Sequence, residues 1–158
     1  MKIFPFIHFI NSLLHIFSLS YLIGSPTFLV ILALKEKFNR EEFLKVINKY
    51  IYFSSFFYLL FFITNLNFLL IDNTFSYFFK KNPYVKILIE VYVPFVIGTI
   101  LMSLHLYSKT SKLLKVKLPI LIQKEWRKIQ IDLVVIVEFF LVIIIIEALI
   151  FYLIYIIP

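Results

Sequence analysis

The chain has no cysteine and only two methionines among its 158 residues. The first absence excludes disulfides, thiolate metal sites, iron–sulfur clusters and c-type haem attachment. The second removes a methionine-rich copper site. Acidic residues are also few: 9 Asp and Glu stand against 16 Lys and Arg, for a formal net charge of +7. No phosphate-binding glycine loop, nucleophile triad or metal-ligand spacing occurs in the sequence. A basic balance can indicate nucleic acid, but there is no arginine-rich, aromatic-interleaved soluble patch, so nucleic acid is not an expected partner.

Apolar residues fill the sequence instead. They make up 62% of it, with a mean hydropathy of +0.98, against roughly 45–50% apolar residues in a soluble domain. Four runs stand out, at 4–34, 50–71, 84–107 and 131–157. Each is long enough to cross a hydrocarbon core, which takes about 20 apolar residues. The runs are continuous rather than alternating, which disfavours a β-barrel. The expected fold is all-α: a polytopic transmembrane four-helix bundle in contact with membrane lipids, one domain over residues 1–158. The first run is too long for a signal-peptide core and no A-x-A-like cleavage site follows it, so it reads as a retained span.

Basic residues set the expected orientation. Lys35, Lys37, Arg40, Lys45 and Lys49 follow span 1, and Lys109, Lys112, Lys115, Lys117, Lys124, Arg127 and Lys128 follow span 3. The second connection has only Lys80, Lys81 and Lys86, and the N-terminal tail only Lys2. The positive-inside rule places loops 1 and 3 in the cytoplasm and both termini outside, in a bacterial cell membrane. Asn39-Arg40-Glu41-Glu42 resembles a capping box and starts helix 2 ahead of its span. Asp72-Asn73 and Asn82-Pro83 bracket an external connection whose Phe75, Tyr77, Phe78 and Phe79 suit the interface. Leu118-Pro119 interrupts the basic stretch of loop 3, and Trp126 suits an interfacial anchor at the entry to span 4.

Polar residues inside the spans are the candidate functional groups, because intramembrane ionisable residues are costly. At 1.5 Å per residue, His8 and Glu90 lie about 6 and 9 Å deep, His15 and Glu147 about 16 and 15 Å deep, and His105 and Glu138 nearly 30 Å deep. Each histidine has a carboxylate at its level. On helix 1, His8, Asn11, Ser12, His15 and Pro26 form one stripe. Ser54, Tyr58 and Asn65 share a face of helix 2, and Glu90, Pro94, Leu101 and His105 share a face of helix 3. All three stripes are expected to face a common interior. Glu138 and Glu147 are nine residues apart, so they point in opposite directions. One of them is left to face a membrane protein partner or a second copy of the chain through helix 4.

Three functions suit these groups. The first is redox-associated: His15, nearest the midplane, is the leading candidate ligand for haem b or another metal, with His8 and His105 as further candidates. His8 and His15 are about 10.5 Å apart along the axis, too far to ligate one iron from opposite faces. The second is a small transporter or proton relay, in which the His and Glu pairs relay protons or bind a quinone headgroup, with Glu147, Glu90, Glu138, Asn11 and Asn65 as the proton-relay or polar-pairing residues. The third is a non-catalytic accessory subunit of a larger membrane complex. Against all three stands the plain alternative that these groups only hydrogen-bond between helices.

Leu14-His15-Ile16, with Gly24 and then Phe28 downstream, resembles the first helix of two families of small membrane bundles. These are the copper-resistance D-type membrane domain and the haem-pathway membrane protoporphyrinogen oxidases. The resemblance is confined to helix 1 and implies a haem or metal association for His15 alone.

Overall fold

A computed structural model describes residues 3–35, 39–71, 77, 80–116 and 119–155. It contains four long helices: α1 (Ile3–Leu34), α2 (Arg40–Ile71), α3 (Pro83–Val116) and α4 (Pro119–Tyr155). No strand occurs among the described residues. All four helices are long and apolar enough to cross a membrane. Of the aromatic connection expected between spans 2 and 3, only Tyr77 is described, and Leu118 also lies outside the described residues.

Local chemistry fixes the helix starts. Asn39 caps α2, its Oδ1 accepting the Glu41 N–H at 3.0 Å, and Glu41 and Glu42 place negative charge in the first turn, where the helix dipole favours it. Asn82 caps α3 by accepting the N–H groups of Tyr84 and Val85 at 3.0 and 3.4 Å. Pro83 follows at the first helical position, where its missing N–H costs nothing.

The helices run antiparallel in sequence order around a four-cornered bundle, with α1 and α3 on opposite corners and out of contact. The ends are named here by what they carry. The terminal end holds the chain termini, and the loop end holds the α1–α2 and α3–α4 connections. Leu22, Leu44, Leu106, Leu133, Ile136 and Phe140 form part of a fully buried core. Lipid tails are as apolar as leucine, so close backbone approach matters more than apolar area. Small hydroxyl residues supply that approach: Ser18, Ser54, Thr64, Thr99, Ser103 and Thr110 are all buried between helices. Gly98 goes further, since a Cβ there would stand 2.8 Å from the Phe139 ring on α4.

The helices outrun the expected spans. At 1.5 Å per residue, the 37 residues of α4 extend about 55 Å, against a hydrocarbon core of about 30 Å. At the loop end they are tied by polar contacts. Lys109 bonds Asp132 at 2.9 Å and lies 3.9 Å from Glu125, which also pairs with Lys128 at 3.0 Å. Gln130 donates to the Ala33 carbonyl at 2.8 Å, one of the last four carbonyls of α1 and without a partner in its own helix. Thr110 donates to Asn48 at 3.1 Å. Trp126 packs edge-on against Phe43 and lies under the Arg40 guanidinium, so it joins α2 to α4 at this end.

Gly98→Val is expected to destabilise the bundle by about 1–3 kcal/mol, the usual cost of overpacking. Gly24→Ala meets open space and is expected to be neutral or to gain up to about 1 kcal/mol in helix propensity. Unfolding in mixed detergent micelles distinguishes them, and equal stability of the two variants would contradict the close α3–α4 approach.

Candidate functional site

Each helix contributes one side chain to a polar node deep in the bundle: His15 from α1, Thr64 from α2, Tyr92 from α3 and Glu147 from α4. His15 Nδ1 lies 3.0 Å from Thr64 Oγ1. His15 Nε2 lies 3.4 Å from Glu147 Oε2. The Tyr92 hydroxyl donates to Glu147 Oε1 at 2.6 Å. The imidazole stacks on Phe61, ring centroids 5.1 Å apart, and meets Phe68 edge-on at 5.5 Å. The His15 and Glu147 side chains are 13% and 20% exposed, so the pair is enclosed without being sealed.

Asn11, buried on α1, extends the node toward the terminal end. It donates to the Thr64 carbonyl at 3.1 Å and accepts from Asn67 Nδ2 at 3.1 Å. Asn65 donates to the Phe61 carbonyl at 2.9 Å and its side chain lies beside the Tyr92 hydroxyl. A separate hydroxyl pair, Tyr58 and Ser103 at 2.9 Å, joins α2 to α3 nearer the loop end.

The bond directions in the node follow from hydrogen inventory. Thr64 has a single hydroxyl hydrogen: donated to the Phe61 carbonyl at 2.9 Å, it leaves the oxygen to accept from His15 Nδ1–H; donated to Nδ1, it goes with a hydrogen on Nε2. Tyr92 donates its hydrogen to Oε1. The Nε2–Oε2 contact then has room for one hydrogen. It sits on Nε2, giving imidazolium and carboxylate, or on Oε2, giving imidazole and carboxylic acid.

The structure brings His15 and Glu147 together, with Asn11 and Asn65 close by. It does not gather the rest. Glu90, Pro94, Leu101 and His105 were expected to face the interior, but all four are exposed. The inward face of α3 carries Val85, Tyr92, Thr99, Ser103 and Thr110 instead, because small hydroxyl residues admit close packing where Glu and His do not. His105 and Glu138 share a depth but stand outside the bundle, and neither has a hydrogen-bond or charge partner among the described residues. His8 is half-exposed. The sequence reading missed Thr64 and Tyr92. Both sit at the level of His15 by counting along the helices, but a single Thr or Tyr in an apolar run carries no signal of its own.

The residues present do not fit a haem. An axial ligand needs a ring nitrogen directed at open space, and the His15 nitrogens are directed at Thr64 and Glu147 instead. Nor do the described residues contain a group of three or more His, Cys, Asp or Glu placed to hold a metal ion. No family model, curated protein or solved structure matches the chain.

The pair is testable by a double-mutant cycle. Removing one member of a buried ion pair strands the other at a cost of about 3–5 kcal/mol. His15→Leu and Glu147→Leu are each expected to destabilise the bundle strongly, and the double variant by less than the sum. An additive cycle would remove the coupling.

Proposed function

We propose that this chain is a small integral membrane protein that takes up and releases a single proton at its core, as a proton relay or proton-coupled transporter. The observation carrying this reading is the His15–Glu147 contact, with the surrounding hydrogens already committed to Thr64 and Tyr92. Ionisable residues at membrane depth mark ion and proton pathways, and His and Glu are the groups that chains of this kind use. Taking up a proton here converts a site with net charge −1 into a neutral one. Thr64 and Tyr92 hold imidazole and carboxyl in place in both protonation states.

A second reading, an accessory subunit docked through helix 4, is favoured by one observation. Glu138 is exposed beside Leu141, Ile145 and Val134 on the outer face of α4. A carboxylate at membrane depth calls for a protein neighbour or local water rather than lipid. Glu138→Leu is expected to leave the oligomeric state in mild detergent unchanged if no partner uses this face, and to dissociate a complex if one does.

The proton reading is tested by infrared difference spectroscopy of the lipid-embedded protein across a pH titration. A carboxylic C=O band and an imidazole signal are expected to change together in the wild-type chain. Glu147→Gln, which keeps the shape and the Tyr92 bond, is expected to abolish both. A wild-type spectrum without any pH-dependent band from His15 or Glu147 would overturn the proposal.

A further inference from the structure

Beyond the identity of the proton site lies the question of which side of the membrane it communicates with, and the packing around the node is strongly asymmetric. Toward the terminal end, the first polar groups are immediate. Asn11 is one helical turn away, about 6 Å along the axis, and already bonds both the Thr64 carbonyl and Asn67. Half-buried Ser12, whose hydroxyl donates to the His8 carbonyl at 2.9 Å, and half-exposed His8 continue the same face. Toward the loop end, by contrast, the next polar belt is Gln130 on Ala33, Thr110 on Asn48 and Lys109 on Asp132. From His15 to Ala33 is about 27 Å along α1 at 1.5 Å per residue.

Along the bundle axis that interval is packed with apolar side chains. Phe61, Ile143, Leu22, Phe140, Ile136 and Leu133 fill it, each at most 2% exposed. Several hydroxyls within it are spent locally, while the Tyr50 hydroxyl is buried without a hydrogen-bond partner among the described residues. Ser18 donates to the His15 carbonyl, Ser54 to the Ile51 carbonyl and Thr99 to the Phe95 carbonyl. Tyr58 and Ser103 bond each other, and Tyr58 lies flat against Phe140 at 6.0 Å. No hydrogen-bonded chain among the described residues links this pair to His15. His105 and Glu138 fall within the interval by depth but stand on the outer surface.

We infer that the His15–Glu147 pair exchanges its proton with one side of the membrane only, the side of the chain termini, and that the apolar block around Leu22 and Phe140 seals it from the other. This rests on the proton reading above. The titratable side chains facing the pair are Tyr92 from α3 and the two members themselves from α1 and α4; α2 contributes Thr64, Asn65 and Asn67, which do not titrate. His8 and Glu90 lie nearer the terminal end and do not intervene on the sealed side. The resting protein is then a one-sided proton site rather than a continuous proton wire.

The absence of cysteine makes the chain its own background for accessibility mapping. Ser12 and Ser18 flank His15 three residues to either side, and serine to cysteine changes one atom. Thiol modification by a charged methanethiosulfonate requires a water-exposed thiolate. With the full chain in sealed vesicles, Ser12→Cys is expected to react at least tenfold faster than Ser18→Cys or Ser54→Cys, and from one face only. Ser12→Cys reacting from both faces or from neither, or Ser18→Cys and Ser54→Cys reacting within about threefold of it, would overturn the inference. The labelling pattern does not depend on whether His15 or Glu147 takes up a proton. One-sided labelling with no pH response in the infrared spectrum would therefore sink the proton reading and leave the access geometry standing.

Discussion

An ionisable side chain near the middle of a bilayer costs about 2.5–3.5 kcal/mol on insertion scales, and this bundle is arranged around keeping Glu147 from bearing that cost alone. The imidazole of His15 and the hydroxyl of Tyr92 meet its two oxygens, and Thr64 holds the far side of the imidazole. Apolar packing between helices in lipid gives little register information, because a shifted Leu or Ile finds an equivalent neighbour. A four-way polar contact does give it. Each of the four helices must stand at one height and one rotation for the node to close. Glu138 follows from this constraint: nine residues from Glu147 on a helix of 3.6 residues per turn, it is turned outward once Glu147 is turned in.

The remaining polar residues fall into place around the node. Interhelical hydrogen bonds in membranes contribute only about 0.6 kcal/mol each on average, so the node cannot hold the bundle by itself. The hydroxyl rows and Gly98 bring the backbones close enough for dispersion to add up. At the loop end the helices leave the expected spans, and a different set of contacts takes over. Lys109, Asp132, Glu125 and Lys128 form a small ion network, and Gln130 completes a carbonyl at the end of α1. Exposed ion pairs such as Lys128 with Glu125 add little. Lys109 with Asp132, both less than a fifth exposed, is the better-placed contact.

The four helices were legible because continuous apolar runs of this length have few other structural solutions. The facing of His15 and Glu147 was legible for a related reason: helical rise is constant, so counting from a boundary gives depth. The same counting gave false neighbours in His105 and Glu138, because depth says nothing about rotation. The error on helix 3 has a specific cause. Glu90 and His105 were read as an inward stripe on the principle that charge avoids lipid. The competing rule, that small residues take the interface, gave the inward face to Thr99, Ser103 and Thr110. The stretch after Tyr107, expected as a basic loop, continues as helix because nothing in a Lys-rich, Leu-containing segment stops one before Val116.

The two sides of the His15 node use different polar residues. A serine or threonine has one hydrogen to donate and can spend it on a carbonyl three or four residues back in its own helix. Ser18, Ser54 and Thr99 all do so, and each is thereby removed from any longer chain of hydrogen bonds. An asparagine has two donors and an acceptor with two lone pairs, more than one carbonyl can satisfy. Asn11 therefore reaches across to α2 for both Thr64 and Asn67, and still has hydrogen-bonding capacity left over. That remainder has to be met by water or by another polar group. Next to His15, the cross-helix amides Asn11 and Asn67 lie on the terminal side, and Ser18, Ser54 and Thr99, spent on their own helices, lie on the loop side; the proposed one-sided access rests on that difference.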